Sequence, residues 1–320
     1  MTRIVYVSPD SNSPTGGIKV IYKHVELLRR LGADAYVMHI KPGYRCDWFE
    51  NSAPIISLGE LQQTDLVMVP EIMTILATQL HGMGIRYCMF VQNGYLVLPT
   101  APMPELQACY RNAQAVLSIS DDTSSLLSAV FPEISDKVLR CKYSVDTERF
   151  KPLADKPLKV TYMPRKLPIH ANNVAHWLAK EFPDWEFRAI HGMSEAQVAT
   201  ELASSRVFLA FSDFEGCPVP PIEAALSGNV VLGYPGWGGR EYWDEPNFRV
   251  ADFGDIRDFV RKFYEVAAFA SRPDLQAVLA PGMARLKTDY GLQAEANTLV
   301  AAINAVIARI GGIAKVNPES

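Results

Sequence analysis

The stretch from residue 207 to residue 232 constrains the fold of this chain more than any other part of the sequence. An apolar run, Val207-Phe-Leu-Ala-Phe211, is typical of a strand buried on both faces of a parallel sheet. After a polar turn, Pro220-Pro221 opens a helix, because proline lacks only an N–H that the first helical turn leaves unpaired. The helix ends at Ser227-Gly228, and Val230 starts another apolar run. This order of strand, turn and helix predicts an α/β domain with a parallel sheet.

Two carboxylates, Glu215 and Glu223, bracket that turn. A helix N-terminus favours anions, so a diphosphate is a suitable ligand there. In that case Glu223 would accept hydrogen bonds from ribose hydroxyls, and Glu215 would face the hydroxyls of a sugar. The alternative interpretation is structural. Glu223 then complements the helix dipole, for about 0.3–1 kcal/mol, and Glu215 is an ordinary turn residue.

Length, charge and cysteine usage limit the class of protein. The 320 residues suffice for two domains of about 150 residues each. A net charge of −4 without a basic block argues against nucleic acid as a partner. The five cysteines are scattered and never form Cys-x-x-Cys, which predicts a cytoplasmic protein without a disulfide or zinc framework. No run of about 18 apolar residues occurs, so no membrane span is expected.

The first half of the chain repeats the pattern of strand, loop and helix. A buried strand is predicted over Arg3–Val7, and helical periodicity runs over residues 18–31. Gly16 and Gly17 lie between them, and the order of strand, glycine loop and helix is the phosphate-binding arrangement of a nucleotide-binding fold. The motif is not Gly-x-Gly-x-x-Gly, so a dinucleotide site is not indicated. The alternative is that the two glycines only form a tight turn.

A later strand of the first half ends in a polar pair. Arg86–Val91 is apolar enough to be a buried strand, and Gln92 and Asn93 follow it directly. Because open parallel sheets bind ligands at the carboxyl ends of their strands, these two side chains are candidate substrate contacts. The structural alternative is an ordinary polar turn. By contrast, Arg45–Glu60 shows no periodicity, and we expect it to be irregular and mobile.

Two stretches resemble retaining glycosyltransferases of family 4. The first, Glu215-Gly-Cys-Pro-Val-Pro-Pro-Ile-Glu223, resembles the family's Glu-x7-Glu motif, usually Glu-Gly-Phe-Gly-Leu-Pro-Pro-Leu-Glu. The second, Val145-Asp-Thr-Glu-Arg-Phe-Lys-Pro152, resembles the run found where the family's first domain ends. The resemblance implies an α/β protein with the GT-B fold, in which two Rossmann-like parallel-sheet domains face a cleft.

The resemblance also implies where the domains begin and end. Residues 1–152 would form an N-terminal Rossmann-like domain on the acceptor side. Residues 153–290 would form a C-terminal Rossmann-like domain that holds the nucleotide-sugar donor. A helix over residues 291–310 would cross back to the N-terminal domain, and residues 311–320 would be a tail.

The roles of individual residues follow from the same resemblance. Arg165 matches the arginine of the family's Gly-Arg-Leu-x-x-x-Lys-Gly turn, and either Lys166 or His170 supplies a second positive charge. With Glu215, which orients the sugar, Arg165 and Lys166 are the predicted catalytic residues, because fixed cations stabilise a departing diphosphate. The predicted substrate-binding residues are Gly16, Gly17, Gln92, Asn93, His170, Gly216, Cys217, Val219 and Glu223.

The function implied is that of a retaining hexosyltransferase. It would move a sugar from a nucleotide diphosphate sugar to a glycan or lipid-linked acceptor in polysaccharide biosynthesis. No metal is expected, and no cofactor beyond the donor substrate. The protein would be cytoplasmic, with peripheral contact at the inner face of a membrane. Two alternatives stay open: a non-catalytic sugar-nucleotide-binding partner subunit, and another GT-B enzyme such as a sugar-nucleotide epimerase.

Overall fold

Residues 2–311 are described by the computed structural model, and they divide into two units. One unit comprises residues 2–143 and 293–311, and the other comprises residues 144–292. Each unit is an α/β domain with one sheet, and we describe each by itself. The sequence predicts a tail over residues 311–320, and residues 312–320 of it lie outside the described residues.

The first domain has a seven-stranded parallel sheet. Its strands coincide with the apolar runs of the sequence, and most of their residues are buried. Their order across the sheet is β3-β2-β1-β4-β5-β6-β7. The strands are β1 (Ile4–Val7), β2 (Ala35–His39), β3 (Ile55–Ser57), β4 (Leu66–Pro70), β5 (Arg86–Val91), β6 (Val116–Ser118) and β7 (Val138–Arg140).

Four helices connect the strands of this sheet: α1 (Gly16–Arg30), α2 (Thr74–Gly82), α3 (Met103–Asn112) and α4 (Asp121–Val130). The periodicity predicted for residues 18–31 is present in α1, which buries Ile18, Ile21, Val25 and Leu28. Helix α4 begins after Ser120, whose side chain accepts a hydrogen bond from the Thr123 amide at 3.0 Å. Apolar spacing of this kind is a local signal, which is why the sequence predicts α1 well.

The segment Arg45–Glu60 differs from its prediction, because it is packed and contains β3. Cys46 is 1% exposed, and its amide donates to the Tyr22 hydroxyl at 3.1 Å. The Arg45 guanidinium donates to the carbonyl oxygen of Ala53 at 2.9 Å. The prediction of an irregular segment is correct for residues 45–54 and wrong for residues 55–60, which form β3 and one turn of 3-10 helix; the mobility stays a prediction. One group that holds the segment, the Tyr22 hydroxyl, comes from α1, which is distant in sequence.

The second domain has a five-stranded parallel sheet in the order β12-β11-β10-β8-β9. Its strands are β8 (Lys159–Tyr162), β9 (Glu186–Ala189), β10 (Val207–Ser212), β11 (Val230–Pro235) and β12 (Phe248–Val250). Its helices are α5 (Pro168–Glu181), α6 (Glu195–Ala203), α7 (Pro220–Leu226), α8 (Gly236–Gly239), α9 (Ile256–Ala270) and α10 (Leu275–Tyr290).

The last helix, α11 (Leu292–Arg309), groups with the first domain from Gln293 onward. There the amide of Lys142 donates to Thr298 Oγ1 at 3.0 Å, and His24 Nε2 lies 3.4 Å from Glu295 Oε1. None of the helices within residues 2–311, α11 included, has the length and apolar character needed to cross a membrane.

The second domain begins earlier than the sequence predicts. Residues 144–152 group with the second domain, whereas the sequence indicates a boundary after residue 152. One contact that holds this segment is the hydrogen bond from the Val145 amide to the Tyr290 carbonyl oxygen, 2.9 Å. Tyr290 lies more than a hundred residues from Val145 in the sequence, so no local pattern predicts this contact.

Each sheet has one point at which the strand order reverses. In the first sheet this switch point lies between β1 and β4, and in the second between β8 and β10. Open parallel sheets bind ligands at the carboxyl ends of the strands next to such a point. The two switch points therefore locate the candidate site in each domain.

Lys156, shortly before β8 in the second domain, is a buried lysine. It is 4% exposed, and its amine donates to the carbonyl oxygens of Ser205, at 2.8 Å, and Ser227. Burial lowers the pKa of Lys156 from 10.5 to about 7. Between these two values the unfolded chain binds a proton that the folded chain does not, so this group makes the free energy of unfolding rise with pH.

We expect Lys156→Met to remove this pH dependence. As pH rises above about 7, the free energy of unfolding of the wild type should increase relative to that of the variant, by up to about 1.4 kcal/mol per pH unit. Urea denaturation between pH 7 and 9.5 measures the difference. Lys151→Met, at a lysine whose side chain is 64% exposed, is the control and should give a curve parallel to the wild type. A parallel curve for Lys156→Met would contradict the prediction.

Candidate functional site

The switch point of the second sheet brings two predicted catalytic residues into contact. Arg165 and Lys166 lie in the turn between β8 and α5, and Glu215 lies in the turn between β10 and α7. Because β8 and β10 are parallel neighbours, both turns leave the same edge of the sheet. Lys166 Nζ lies 2.8 Å from Glu215 Oε1, with the two side chains 47% and 22% exposed. The pair therefore remains accessible to a ligand.

The other two candidate cations lie nearby in sequence but in different surroundings. Arg165 is exposed, and it has no ion-pair partner within residues 2–311. His170, in the first turn of α5, packs edge-on against Tyr234, with ring centroids 6.0 Å apart. The sequence left the second positive charge open between Lys166 and His170. The geometry favours Lys166, since it is the one that contacts Glu215.

The turn that carries Glu215 is held by the loop after β11. The Gly238 amide donates to the carbonyl oxygen of Glu215 at 3.0 Å. A Cβ on Gly238 would lie 1.6 Å from the carbonyl oxygen of Gly216, so only glycine fits there. Tyr242 adds a hydrogen bond from its hydroxyl to the Pro218 carbonyl oxygen, 2.6 Å. Backbone packing thus sets the position of the Glu215 turn.

The N-terminus of α7 offers fewer amides than the sequence motif suggests. Pro220 and Pro221 occupy its first positions and have no N–H. The amides of Ile222 and Glu223 both donate to the Val219 carbonyl oxygen, at 3.0 and 3.1 Å. Pro218, just before this helix, also has no N–H. Binding of a diphosphate here would depend chiefly on side-chain cations.

Two of the predicted donor contacts, Glu223 and Cys217, have side chains that are partly or fully buried. Glu223 lies half-buried in the first turn of α7. Cys217 is 8% exposed, and its Sγ lies 4.0 Å from Glu241 Oε1. Glu241 also accepts a hydrogen bond from the Tyr290 hydroxyl at 2.6 Å. The sequence prediction did not include Glu241, although an acid shortly after Gly238-Gly239 was a usable signal.

The predicted residues of the first domain also come together. Gly16 and Gly17 are the first residues of α1, and the Gln92 side-chain amide donates to the carbonyl oxygen of Gly17 at 3.1 Å. A Cβ on Gly17 would lie 3.3 Å from Gln92 Nε2, whereas one on Gly16 would meet nothing within 4 Å. The Asn93 side chain accepts a hydrogen bond from the Tyr95 amide at 3.1 Å. A side chain at Gly17 would therefore crowd the Gln92 side chain.

Glu71 is a residue of this region that the sequence prediction missed. It follows β4 at the switch point of the first sheet and is only 4% exposed. Its Oε1 accepts a hydrogen bond from the Asn93 amide at 2.9 Å. Burial raises the pKa of Glu71 from 4.5 to about 7. An acid directly after an apolar strand was the signal that could have identified it.

An open cavity of about 590 Å³ also lies in the second domain, beside β8, α5 and β9. Its lining includes Tyr162, Asn172, His176 and Phe187. None of the predicted site residues lines this cavity. The case for the site therefore depends on the side chains at the switch points and not on cavity shape.

Two Rossmann-like domains with these parallel sheets define the GT-B fold, and the chain has that fold. The catalytic domain of starch synthase IV from Arabidopsis thaliana, bound to ADP and acarbose, is similar with a TM-score of 0.72 at 11% identity, over 96% of this chain and 99% of that one. Sucrose-phosphate synthase from Thermosynechococcus elongatus has a TM-score of 0.71 at 14% identity, over 96% and 100%. HepE from Anabaena in complex with UDP-glucose has a TM-score of 0.66 at 11% identity, over 97% and 100%.

No protein-family model and no curated protein sequence matches the chain. At 10–14% identity, the structural neighbours show the fold alone. The GT-B fold predicted from the sequence is confirmed. The activity must be argued from the site.

Proposed function

We propose that this protein is a glycosyltransferase that uses a nucleotide diphosphate sugar as donor. The observation that carries the proposal is the Lys166–Glu215 contact of 2.8 Å at the switch point of the second sheet, with Arg165 adjacent. A diphosphate needs fixed positive charge, and sugar hydroxyls need a hydrogen-bond acceptor. Solved structures of the same fold that contain ADP or UDP-glucose support the choice of ligand class.

The chemical step follows from the charges at this site. The bond between the sugar C1 and the β-phosphate oxygen breaks, and negative charge develops on the departing nucleoside diphosphate. Arg165 and Lys166 would stabilise that charge more in the transition state than in the bound donor, which accelerates the reaction. Glu215 would accept hydrogen bonds from hydroxyls of the transferred sugar, and Glu223 from those of the ribose.

Lys166 can contact Glu215 and the donor diphosphate at the same time. Its ammonium has three N–H donors, so one can keep the contact with Glu215 while the others bind phosphate oxygens. The ion pair already present in the free protein would then preorganise the site. His170, packed against Tyr234, would contribute contacts at the edge of this site rather than the main charge.

We further propose that the transfer is retaining and of the family-4 type. The acceptor hydroxyl would attack from the face that the diphosphate leaves, forming the new C1–O bond, and the departing phosphate oxygen would take its proton. No protein base is then needed. Gly16, Gly17, Gln92 and Asn93 would bind the acceptor, a glycan or lipid-linked glycan of polysaccharide biosynthesis. This scheme places the protein in the cytoplasm, in peripheral contact with a membrane.

Ligand-dependent thermal unfolding tests the donor class. A ligand that binds only the folded protein stabilises it by about 2.7 kcal/mol at a hundred times its Kd. We expect UDP, GDP or ADP, or one of their sugars, to raise the melting temperature with concentration. The matching nucleoside monophosphate should act more weakly, because it lacks the β-phosphate. If no nucleoside diphosphate or nucleotide sugar raises the melting temperature, the proposed function is wrong.

A non-catalytic sugar-nucleotide-binding subunit is the second candidate. The prolines at the start of α7 favour it, since they remove amides that could stabilise a departing phosphate. A screen of acceptors with the donor that binds would separate the two. Binding with neither transfer nor hydrolysis would support the non-catalytic role. Release of free sugar or nucleotide without transfer would instead favour another GT-B enzyme, such as an epimerase.

A further inference from the structure

The start of α1 and two loops at the carboxyl edge of the first sheet are linked by hydrogen bonds from side chains. Helix α1 follows β1, and the two loops follow β4 and β5, the next strands in the sheet. Glu71 after β4 accepts from the Asn93 amide at 2.9 Å. Gln92, the adjacent residue after β5, donates to the Gly17 carbonyl oxygen at 3.1 Å. The chain of contacts runs from Glu71 through the Gln92-Asn93 turn to Gly17 at the start of α1.

Hydrogen bonds to neighbouring residues hold the backbone of Glu71. The Glu71 amide donates to the Phe90 carbonyl oxygen at 3.3 Å, and the Thr74 hydroxyl donates to the Glu71 carbonyl oxygen at 3.3 Å. The Glu71 carboxyl group is buried, and burying an ionised carboxylate costs free energy unless it is hydrogen-bonded. A residue chosen for packing alone would be apolar here. The carboxylate is therefore explained best by its contact with Asn93.

We infer that Glu71 is a positioning residue for acceptor binding, which holds the Gln92-Asn93 turn and, through Gln92, the start of α1 at Gly17. The inference depends on the proposed glycosyltransferase function. Glu71 itself is too buried to contact the acceptor. It acts through the backbone amide of Asn93, and the ionised carboxylate is a stronger acceptor for that amide than the protonated acid.

Protonation of Glu71 should therefore loosen the turn. Burial raises its pKa to about 7, so the fraction ionised falls as pH drops through neutrality. Tyr110 of α3 is a titratable group that interacts with Glu71. The pKa of Tyr110 is raised well above 10 by burial and, to a smaller degree, by the charge of Glu71. Tyr110 thus stays neutral over the range in which Glu71 titrates.

Glu71→Gln tests the inference, since it keeps the shape of the side chain and removes the charge. At pH 8, kcat/KM for the acceptor should fall about 10-fold, the loss expected when a hydrogen bond to a charged acceptor is weakened. KM for the donor should not change. As pH is lowered, kcat/KM of the wild type for the acceptor should fall with a midpoint near pH 7, whereas kcat/KM of the variant should not change in that range.

Glu60→Gln is the matched control. The Glu60 carboxylate also accepts a backbone amide of the first domain, that of Ser57 at 2.8 Å, but it is exposed and far in sequence from the Gln92-Asn93 turn. It should leave both rate and pH profile unchanged. Wild-type kinetics and an unaltered pH profile in Glu71→Gln would overturn the inference.

A second measurement does not need activity. With selective ¹⁵N-asparagine labelling, the Asn93 amide resonance should titrate with a midpoint near pH 7 in the wild type and not in Glu71→Gln. Transfer by the wild type without this titration would overturn the role of Glu71 and leave the proposed function standing. Titration without transfer from any nucleotide sugar would overturn the proposed function, and with it the acceptor role, while leaving the Glu71–Asn93 link in place.

Discussion

Lys166→Met is expected to lower kcat about 100-fold at saturating donor, the usual loss when one group that stabilises transition-state charge is removed. Lys166 contacts Glu215 at 2.8 Å and would stabilise the negative charge that develops on the departing diphosphate. Steady-state kinetics with the donor identified by thermal shift measure the effect. Lys180→Met, at an exposed lysine of α5, is the control and should retain wild-type kcat.

A double-mutant cycle with Glu215→Gln separates catalysis from a plain surface contact. If both residues act on the donor, each single variant loses much of kcat and the double variant loses less than the product of the two losses. An exposed ion pair with no further role contributes only about 0–1 kcal/mol to stability and nothing to turnover. Wild-type kcat in both single variants would show that the catalytic site has been placed wrongly.

Gly238→Ala is expected to have the largest structural effect of any single methyl group added in the second domain's site. The new Cβ would lie 1.6 Å from the carbonyl oxygen of Gly216, and backbone cannot swing aside as a side chain can. Overpacking of this kind costs about 1–3 kcal/mol, occasionally more. We expect the free energy of unfolding to fall by about 3 kcal/mol. Donor affinity should fall at least about 10-fold, because the Glu215–Cys217 turn must move.

Urea denaturation and a donor titration measure both effects. Gly82→Ala is the matched control, because a Cβ there meets nothing within 4 Å and Gly82 is the last residue of α2. Alanine suits a helix better than glycine by about 0.5–1 kcal/mol, so this variant should be as stable as the wild type or slightly more stable. If Gly238→Ala behaves like Gly82→Ala, the close approach of the two loops is not as we describe it.

Much of the fold was predictable because its signals are local. Apolar runs predicted strands such as β5 and β10, and spacing predicted α1. The same local signals located polar residues at the carboxyl ends of strands, which is where Gln92 and Glu215 lie. The GT-B fold itself was indicated by the resemblance of Glu215–Glu223 and Val145–Pro152 to motifs of family-4 glycosyltransferases.

The sequence alone thus determined the two α/β domains and the turns that carry candidate residues, because hydrophobic periodicity and proline or glycine placement act within a few residues. Only the tertiary structure decided that Lys166, and not His170, contacts Glu215, and that Glu71 supports Asn93. It also decided that the segment Arg45–Glu60 is tied to α1 by the hydrogen bond from the Cys46 amide to the Tyr22 hydroxyl. These outcomes depend on which strands become neighbours, and strand order is set by burial of the whole sheet rather than by any local pattern.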